Sequence, residues 1–299
     1  MLNVRLDELT PQERQAYLQA AIGPRPIAFA STVDRNGNPN LSPFSFFNVF
    51  SSNPPILIFS PARRVRDNTT KDTLRNVEET REVVINVVNY NLVQQASLSS
   101  TEYETGVNEF IKAGLSMEAS IDVAPPRVKE SPVQMECKVT DIVSLGNEGG
   151  AGNLVICEIL RMHINPDIIN ADGQIDQHKI DLVARLGGNW YSRASGDSLF
   201  QVEKPLRTKG IGVDAIPPRI RNSYVFDGND LGMLGNVEAL PSENEIREVL
   251  NHPKVVAIFN QSADGLEARE SLHHYAKELL NKGKVNKAWK VLLCDNIQK

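Results

Sequence analysis

A chain of 299 residues with 41% hydrophobic and 23% charged side chains is long enough for one large or two ordinary domains, and its composition excludes a disordered or fibrous protein. A formal net charge of −5 provides no overall positive field for a polyanion, so we expect no nucleic-acid partner. The N-terminal residues show no signal-peptide pattern, no apolar run reaches membrane length, and the three cysteines lie far apart without metal-binding spacing. These features favour a cytoplasmic protein without a membrane contact or a metal site.

The first predicted elements are a helix and a β-hairpin. Thr10-Pro11-Gln12-Glu13 matches a capping box with proline at the first helical position, and Gly23 ends the helical periodicity that follows. Apolar and β-branched residues predict strands over 27–33 and 41–50, separated by an Asn- and Gly-rich turn over 34–40.

The next part of the chain predicts a mainly β fold. A polar segment over 71–80 is predicted to be helical, and residues 91–119 are predicted to mix helix with irregular structure. Further strands are predicted over 56–59, 83–88, 134–145, 153–164 and 180–186. Six or seven strands with few helices indicate a β-barrel.

A change of composition near Lys204-Pro205 predicts a domain boundary, with one domain over 1–205 and an extension over 206–299. The extension begins with a Pro- and Gly-rich stretch that we expect to be loop-rich. A second capping box at 242–245 and apolar residues at helical spacing over 272–279 and 285–292 then predict helices.

Four glycines between the two longest strands, Gly146, Gly149, Gly150 and Gly152, suggest a dinucleotide-binding loop at first sight. Such a loop leads from a strand into a helix, whereas this one leads into a strand. We therefore interpret it as a flexible hairpin turn.

The segment after the third predicted strand is basic, and it precedes a predicted helix. Arg63, Arg64, Arg66 and Lys71, together with hydroxyl groups and a helix N-terminus, could converge on a phosphate. Asp72 or Thr73 would be free to cap the helix. The alternative is a solvated basic loop.

Two aromatic segments also allow two interpretations. The aromatic residues of 43–48 predict core packing, although an apolar strand with polar groups would also suit an isoalloxazine ring. Arg185, followed by Trp190 and Tyr191, predicts either a loop that closes the barrel or a rim that contacts a planar ligand.

The five histidines do not have the spacing of metal ligands, and no hydrolase motif accompanies them. We assign no catalytic residue from the sequence. His273 and His274 fall on the predicted C-terminal helix, where we expect a solvated helix face.

The order of several segments resembles the flavin reductase-like, FMN-binding split-barrel family, which includes flavoredoxin-like proteins. These segments are RPIAFAST, NLSPFSFFNVFSSNPPILIFS, TTKDTLRNVEETREVVINVV, NEFIKAGL and APPRVKESPVQMECKV, and the resemblance covers about residues 15 to 200. It implies a split β-barrel of Greek-key type with flanking helices, assembled as a homodimer with FMN near the interface.

The resemblance also implies positions for the cofactor. It implies a flavin-facing strand, a loop after the next strand and a phosphate-side KDT motif. The residues concerned are Ser45, Phe46, Phe47, Asn48, Ser60, Lys71, Asp72 and Thr73, with Arg63, Arg66 and Arg185 as further cofactor contacts.

The implied activity is hydride transfer from NADH or NADPH to flavin, with reduced flavin passed to a monooxygenase or another acceptor. Two alternatives remain open at this point. One is an electron carrier that binds FMN without using NAD(P)H, and the other is an interaction protein that has kept the fold and lost the cofactor.

Overall fold

Eleven strands form the β structure of the computed structural model, which describes residues 1–297. They are β1 (Ala28–Val33), β2 (Pro39–Phe44), β3 (Phe47–Ser52), β4 (Pro55–Phe59), β5 (Glu82–Val87), β6 (Met117–Glu118), β7 (Arg127–Val128), β8 (Val133–Ser144), β9 (Asn153–Ile164), β10 (Val183–Arg185) and β11 (Tyr191–Arg193). Seven of them pair in the order β2-β1-β5-β8-β9-β4-β3, and every pairing is antiparallel. The strands β6 with β7 and β10 with β11 form two small separate ladders.

The seven-stranded sheet curves into a barrel because its two edge strands are neighbours in the chain. Strands β2 and β3 stand at opposite ends of the order, yet only Ser45 and Phe46 separate them. Three Cα–Cα steps span at most about 11 Å, so the two edges must approach each other at this corner. The mainly β, split-barrel fold predicted from the sequence is confirmed. The single strand predicted over 41–50 is wrong, because a bend at Ser45 and Phe46 divides it into β2 and β3.

Strand β1 is buried on both faces, because one hydrophobic cluster lies on each side of the sheet. Ala28 and Ala30 belong to one cluster, whereas Phe29 packs in the other with Leu41 and Phe110. Successive side chains of a strand point to opposite faces, so one strand serves both clusters.

Five helices accompany the sheet. They are α1 (Pro11–Ala21), α2 (Asp72–Thr80), α3 (Val93–Leu98), α4 (Glu109–Ala113) and α5 (Gln177–Ile180). The predicted capping box of α1 is present, since Thr10 Oγ1 accepts from the Glu13 amide and the Glu13 carboxylate accepts from the Thr10 amide. The strand predicted over 180–186 is shorter than expected, because Ile180 ends α5 and β10 covers only Val183–Arg185.

The chain divides into two compact units, Met1–Phe200 and a second unit that begins at Gln201. The second unit contains α6 (Pro218–Arg221), α7 (Gly228–Gly235), α8 (Glu243–Leu250), α9 (Pro253–Gln261), α10 (Gly265–Leu280) and α11 (Val285–Leu293). The helices predicted from the second capping box and from the apolar spacing are confirmed as α8, α10 and α11.

The stretch over 210–241 is not the simple loop that its Pro and Gly content predicts. It forms α6 and α7, and Ile216, Ile220 and Leu234 lie in the hydrophobic core of the second unit. Trp289 of α11 is buried in the same core, where its indole N–H donates to the Leu234 carbonyl at 3.1 Å. Burial of these side chains in the core therefore orders this stretch. The two helices are too short for their apolar periodicity to be recognised in the sequence.

The prediction that both C-terminal histidines lie on a solvated helix face is correct for His274 and wrong for His273. His274 is exposed, but His273 is buried on the core side of α10, where its Nδ1 lies 2.8 Å from Ser223 Oγ. The three cysteines are buried and unpaired. None of the helices within residues 1–297 combines the length and apolar character that a membrane crossing requires.

Candidate functional site

A polar cleft of about 360 Å³ opens beside the start of α2, and we call it the Lys71 cleft. Its lining comes from β2, the loop before α2, the first turn of α2, the segment between α3 and α4, and the first residue of α4. The lining residues are Asn40, Ser42, Arg64, Thr69, Thr70, Lys71, Asp72, Thr73, Arg75, Ser99, Thr101, Glu102, Tyr103, Glu104, Thr105 and Glu109. The structure thus brings the predicted Lys71, Asp72 and Thr73 together in one concave surface.

The Lys71 side chain is the best-defined cation of this cleft. Its ammonium group donates to Ser42 Oγ at 3.0 Å and lies 5.4 Å from the centre of the Phe44 ring. Burial lowers the pKa of Lys71, the nearby Arg64 lowers it further, and Glu102 and Glu109 act in the opposite direction. Its hydrogen-bond partner among the described residues is a hydroxyl group rather than a carboxylate.

A hydrogen-bond network fixes the beginning of α2. Thr73 Oγ1 donates to Asn40 Oδ1 at 2.8 Å, and Asn40 Nδ2 donates to Glu109 Oε1 at 2.9 Å. The other carboxylate oxygen of Glu109 accepts from the Leu41 amide at 2.9 Å. Burial raises the pKa of Glu109, and these hydrogen bonds oppose that effect. The network joins α4, β2 and α2 along one wall of the cleft.

Neither Asp72 nor Thr73 caps α2, contrary to the expectation from the sequence. Lys71 occupies the N-cap position and provides no side-chain cap. Asp72 instead accepts from Arg75 Nη2 at 2.8 Å, and Thr73 is engaged with Asn40. The first amide groups of α2 therefore lack a side-chain cap, as at helix ends that receive anions.

The three arginines of the basic loop, residues 61–70, have different surroundings. Only Arg64 lines the Lys71 cleft, and its Nη1 donates to Thr69 Oγ1 and to the Thr70 carbonyl. Arg63 turns back onto Asn68, with Nε 2.6 Å from Asn68 Oδ1. Arg66 is exposed and pairs with Asp67 and Glu102. The structure thus brings Arg64 rather than the predicted Arg63 or Arg66 into the cleft.

The glycine hairpin between β8 and β9 braces the basic loop. Gly150 N donates to the Arg63 carbonyl at 2.9 Å, and Arg63 N donates to the Ala151 carbonyl at 2.8 Å. A Cβ on Gly149 would lie 3.0 Å from the Arg64 carbonyl oxygen, and one on Gly152 would lie 2.6 Å from Ser60 Oγ. The hairpin is present as predicted, but the hydrogen bonds hold it against the loop, and a larger residue at Gly149 or Gly152 would require its neighbours to shift.

A second, smaller cleft of about 160 Å³ contains two other predicted residues, Ser45 and Arg185, and we call it the Tyr191 cleft. Its remaining lining residues are Ile27, Pro43, Val93, Ala96, Ser97, Ser100 and Tyr191. The Arg185 guanidinium lies 4.6 Å from the centre of the Tyr191 ring. This cleft combines aliphatic side chains with hydroxyl groups and one cation.

The two clefts share walls. Ser42 lines the Lys71 cleft and its neighbour Pro43 lines the Tyr191 cleft, because consecutive residues of β2 face opposite ways. Just after α3, Ser99 likewise lines the Lys71 cleft and Ser100 lines the Tyr191 cleft. Strand β2, at one end of the sheet order, thus lies between the two clefts.

The remaining predicted residues lie at the barrel corner. Phe46 is partly exposed, with the Arg25 guanidinium 6.0 Å from its ring, and Phe47 packs against the barrel core. Asn48 Oδ1 accepts from the Val49 amide, and the buried Ser60 donates its amide to the Phe46 carbonyl at 2.8 Å. None of these four residues lines either cleft.

Several cleft residues were not selected from the sequence. Asn40 and Ser42 are two polar residues at alternate positions of an otherwise apolar strand, and this alternation was a usable signal. Glu109 carried no local signal, since its role depends on α4 packing against β2. The segment over 99–105 likewise becomes part of the cleft only through the tertiary fold.

The fold and the paired clefts define a split-barrel protein with a polar cleft beside a helix N-terminus. Comparison with known proteins agrees with this class, since the flavin reductase like domain family matches residues 22–178. A relative from Aquifex aeolicus, described as an uncharacterized protein, is 37% identical over 179 residues, which is 60% of this chain and 89% of the relative.

Two solved structures extend the comparison. Nitrilotriacetate monooxygenase component B from Bacillus cereus is 28% identical with a TM-score of 0.63, over 68% of this chain and 98% of that chain. A protein from Shewanella frigidimarina that is assigned as a flavin reductase with a split barrel domain is 29% identical with a TM-score of 0.56, over 67% of this chain and 96% of that one. The chain belongs to the flavin reductase-like, FMN-binding family, and the family match ends before the second unit.

Proposed function

We propose that this protein binds FMN and uses NADH or NADPH to reduce it. The observation that carries the proposal is the Lys71 ammonium group, which is half-buried in a cleft and hydrogen-bonded to a hydroxyl group instead of a carboxylate. A buried cation without a carboxylate partner is stabilised by an anionic ligand, and the uncapped N-terminus of α2 beside it favours the same charge.

The residues of the Lys71 cleft suit the phosphate end of FMN. Lys71 would contribute a charge-assisted hydrogen bond, Ser42 a hydroxyl donor and the start of α2 its amide groups. The Asn40–Thr73–Glu109 network would keep these donors in place.

The Tyr191 cleft suits the ring end. Ile27, Val93 and Ala96 provide apolar contact, and Ser45 and Arg185 provide polar groups at its edge. A bound flavin supplies the hydride-accepting chemistry, so the protein needs to orient the nicotinamide and the ring but needs no acid or base of its own.

Two neighbours support an oxidoreductase role of this kind. One is described as a flavin reductase, and the other as component B of a monooxygenase, a name that implies a second component. We propose that the protein supplies reduced flavin, or electrons, to an oxygenase or another acceptor. Buried, unpaired cysteines agree with action in the cytoplasm.

The exposed edge of the barrel supports a homodimer. Within the described residues strand β3 pairs with β4 alone, and its Val49 and Phe50 are 61% and 63% exposed. Apolar residues on an unpaired edge strand are uncommon in a monomer. We propose that a second copy of this chain covers them.

An absorbance titration tests the proposed function. Purified protein is mixed with FMN, freed of excess ligand, and then exposed to NADH or NADPH without oxygen. We expect a bound flavin spectrum that either nucleotide bleaches. A flavin spectrum that neither nucleotide bleaches would indicate the electron carrier instead, and a protein that takes up no FMN would contradict both functions.

A further inference from the structure

The Glu102 carboxylate bridges two arginines at the mouth of the Lys71 cleft. Its Oε1 accepts from Arg64 Nε at 3.1 Å and its Oε2 accepts from Arg66 Nη2 at 2.9 Å. Glu102 belongs to the segment between α3 and α4, whereas both arginines belong to the basic loop. The carboxylate therefore links two walls of the cleft.

The cations that line the cleft are unequally neutralised. Arg64 pairs with Glu102, and Arg75 pairs with Asp72 at 2.8 Å. Lys71 is hydrogen-bonded to the Ser42 hydroxyl. Among the described lining residues, the cleft thus presents one cation that a ligand can neutralise without displacing a carboxylate.

A second phosphate would meet a different environment. Arg64 Nε is engaged with Glu102 and Nη1 with Thr69 and Thr70, so only Nη2 of this guanidinium, whose charge Glu102 already neutralises, has no partner among the described residues. A second phosphate must therefore displace Glu102 or lie beside its negative charge, and two like charges near a protein surface repel each other.

We propose that Glu102 is a specificity residue that makes this site select a flavin with one phosphate over a flavin with a pyrophosphate. The inference rests on the proposed function. Glu102 neutralises Arg64 and, together with Asp67, Arg66, so that the FMN phosphate can pair with Lys71 while the second phosphate of FAD meets no unpaired cation.

The test measures dissociation constants for riboflavin, FMN and FAD by flavin fluorescence with the wild-type protein and the Glu102→Gln variant. The substitution leaves Arg64 without a carboxylate partner and Arg66 with Asp67 alone, so we expect the preference for FMN over FAD to fall about tenfold, with riboflavin affinity unchanged. In about 1 M salt the difference between the two proteins should shrink, because salt screens exposed charges.

Glu78→Gln is the matched control. Glu78 is an exposed residue of α2 that carries the same charge and does not line the cleft. This variant should keep the wild-type preference. An unchanged preference in Glu102→Gln, an equal change in Glu78→Gln, or an equal change in riboflavin affinity would each overturn the inference.

The same titrations separate this inference from the proposed function. If the wild-type protein binds FMN no better than riboflavin, the phosphate site itself is wrong. If FMN binding depends on Lys71 but the ratio of the FMN and FAD dissociation constants is the same in Glu102→Gln and the wild-type protein, only the specificity role of Glu102 is contradicted.

Discussion

The Lys71 side chain is partly buried and makes few polar contacts with the described residues. Its ammonium contacts the Ser42 hydroxyl and the Phe44 ring, and burial lowers its pKa. Desolvation disfavours the charged form, and an anion placed within hydrogen-bond distance reverses that effect. A ligand anion can gain the free energy of this interaction because no carboxylate among the described residues forms an ion pair with Lys71.

Replacing Lys71 with alanine should weaken FMN binding by about 1.5 to 3 kcal/mol, the usual value of a charge-assisted hydrogen bond. Riboflavin, which has no phosphate, should bind the variant and the wild-type protein alike. Fluorescence titration with both ligands measures the difference. Lys138→Ala removes an exposed lysine of β8 and serves as the control. Equal FMN affinity in Lys71→Ala would remove Lys71 from the site.

His273 shows how burial changes a titrating residue in the second unit. The side chain is 5% exposed, and burial lowers its pKa from 6.5 to about 4. Asp295 acts in the opposite direction, while Arg219, Arg269 and His274 add to the lowering. Its Nδ1 contacts Ser223 Oγ, and its Nε2 is buried without a hydrogen-bond partner among the described residues.

The lowered pKa predicts a loss of stability in acid. Between pH 6.5 and about 4 the unfolded chain binds a proton at His273 that the folded chain does not bind, so the free energy of unfolding falls as the pH falls through this window. Across the whole window the loss is on the order of 2 to 3 kcal/mol.

Urea unfolding at several pH values, followed by tryptophan fluorescence and circular dichroism, checks this prediction. In His273→Gln the decrease over that pH window should be smaller than in the wild-type protein. His274→Gln removes the exposed neighbour on the same helix and should follow the wild-type curve. If His273→Gln has the same pH slope as the other two proteins, His273 does not couple folding to proton binding.

At the level of elements, the glycine hairpin and the basic loop depend on each other. The loop carries Arg64, and its backbone is hydrogen-bonded to residues 150 and 151 of the hairpin. A side chain at Gly149 would contact three backbone atoms of Arg64 and Val65 at 3.0 to 3.1 Å. Backbone atoms of a braced loop cannot rotate away as a flexible side chain can.

Gly149→Ala should therefore displace the basic loop, destabilise the first unit by about 1 kcal/mol and weaken FMN binding. The control is Gly146→Ala in the same hairpin, where the nearest atom to the added Cβ is that of Ala151 at 3.4 Å. Thermal unfolding and FMN titration of both variants measure the two effects. Identical behaviour of the two variants would show that the hairpin does not position the loop.

Local signals predicted many elements but few contacts between them. The capping boxes at Thr10 and Ser242 are present, because a cap is a contact between residues three positions apart. The bend at Ser45 and Phe46 was not predicted, since the apolar run continues through it and only barrel closure requires the break. Short helices such as α6 and α7 escaped detection because their burial comes from distant helices.

Among the described residues, the seven-stranded sheet of the first unit leaves its two end strands, β2 and β3, each paired on one side only. Strand β3 stands at the end of the sheet order, and Phe46, Val49 and Phe50 are at least 40% exposed. An edge strand with apolar side chains can pair with or pack against another chain. The proposed dimer would bury this edge.

Phe50→Glu should convert the dimer to a monomer, because a buried interface carboxylate without a partner costs several kcal/mol. Light scattering coupled to size-exclusion chromatography measures the mass. Leu266→Glu places the same charge at an exposed position of the second unit, at the start of α10, and should leave the mass unchanged. A wild-type protein that elutes as a monomer would contradict the proposed assembly.

The sequence by itself determined the β-rich character of the first unit, most strands, the capped helices and, through the order of its segments, the family. These depend on periodicity, on caps and on chain order, all of which are local or linear properties. Only the tertiary structure decided which polar residues meet. Arg64 rather than Arg63 or Arg66 reaches the cleft, and Asn40, Ser42, Glu102 and Glu109 join Lys71 there. Their proximity depends on barrel closure and on loop packing between residues far apart in the chain, which no local pattern of side chains encodes.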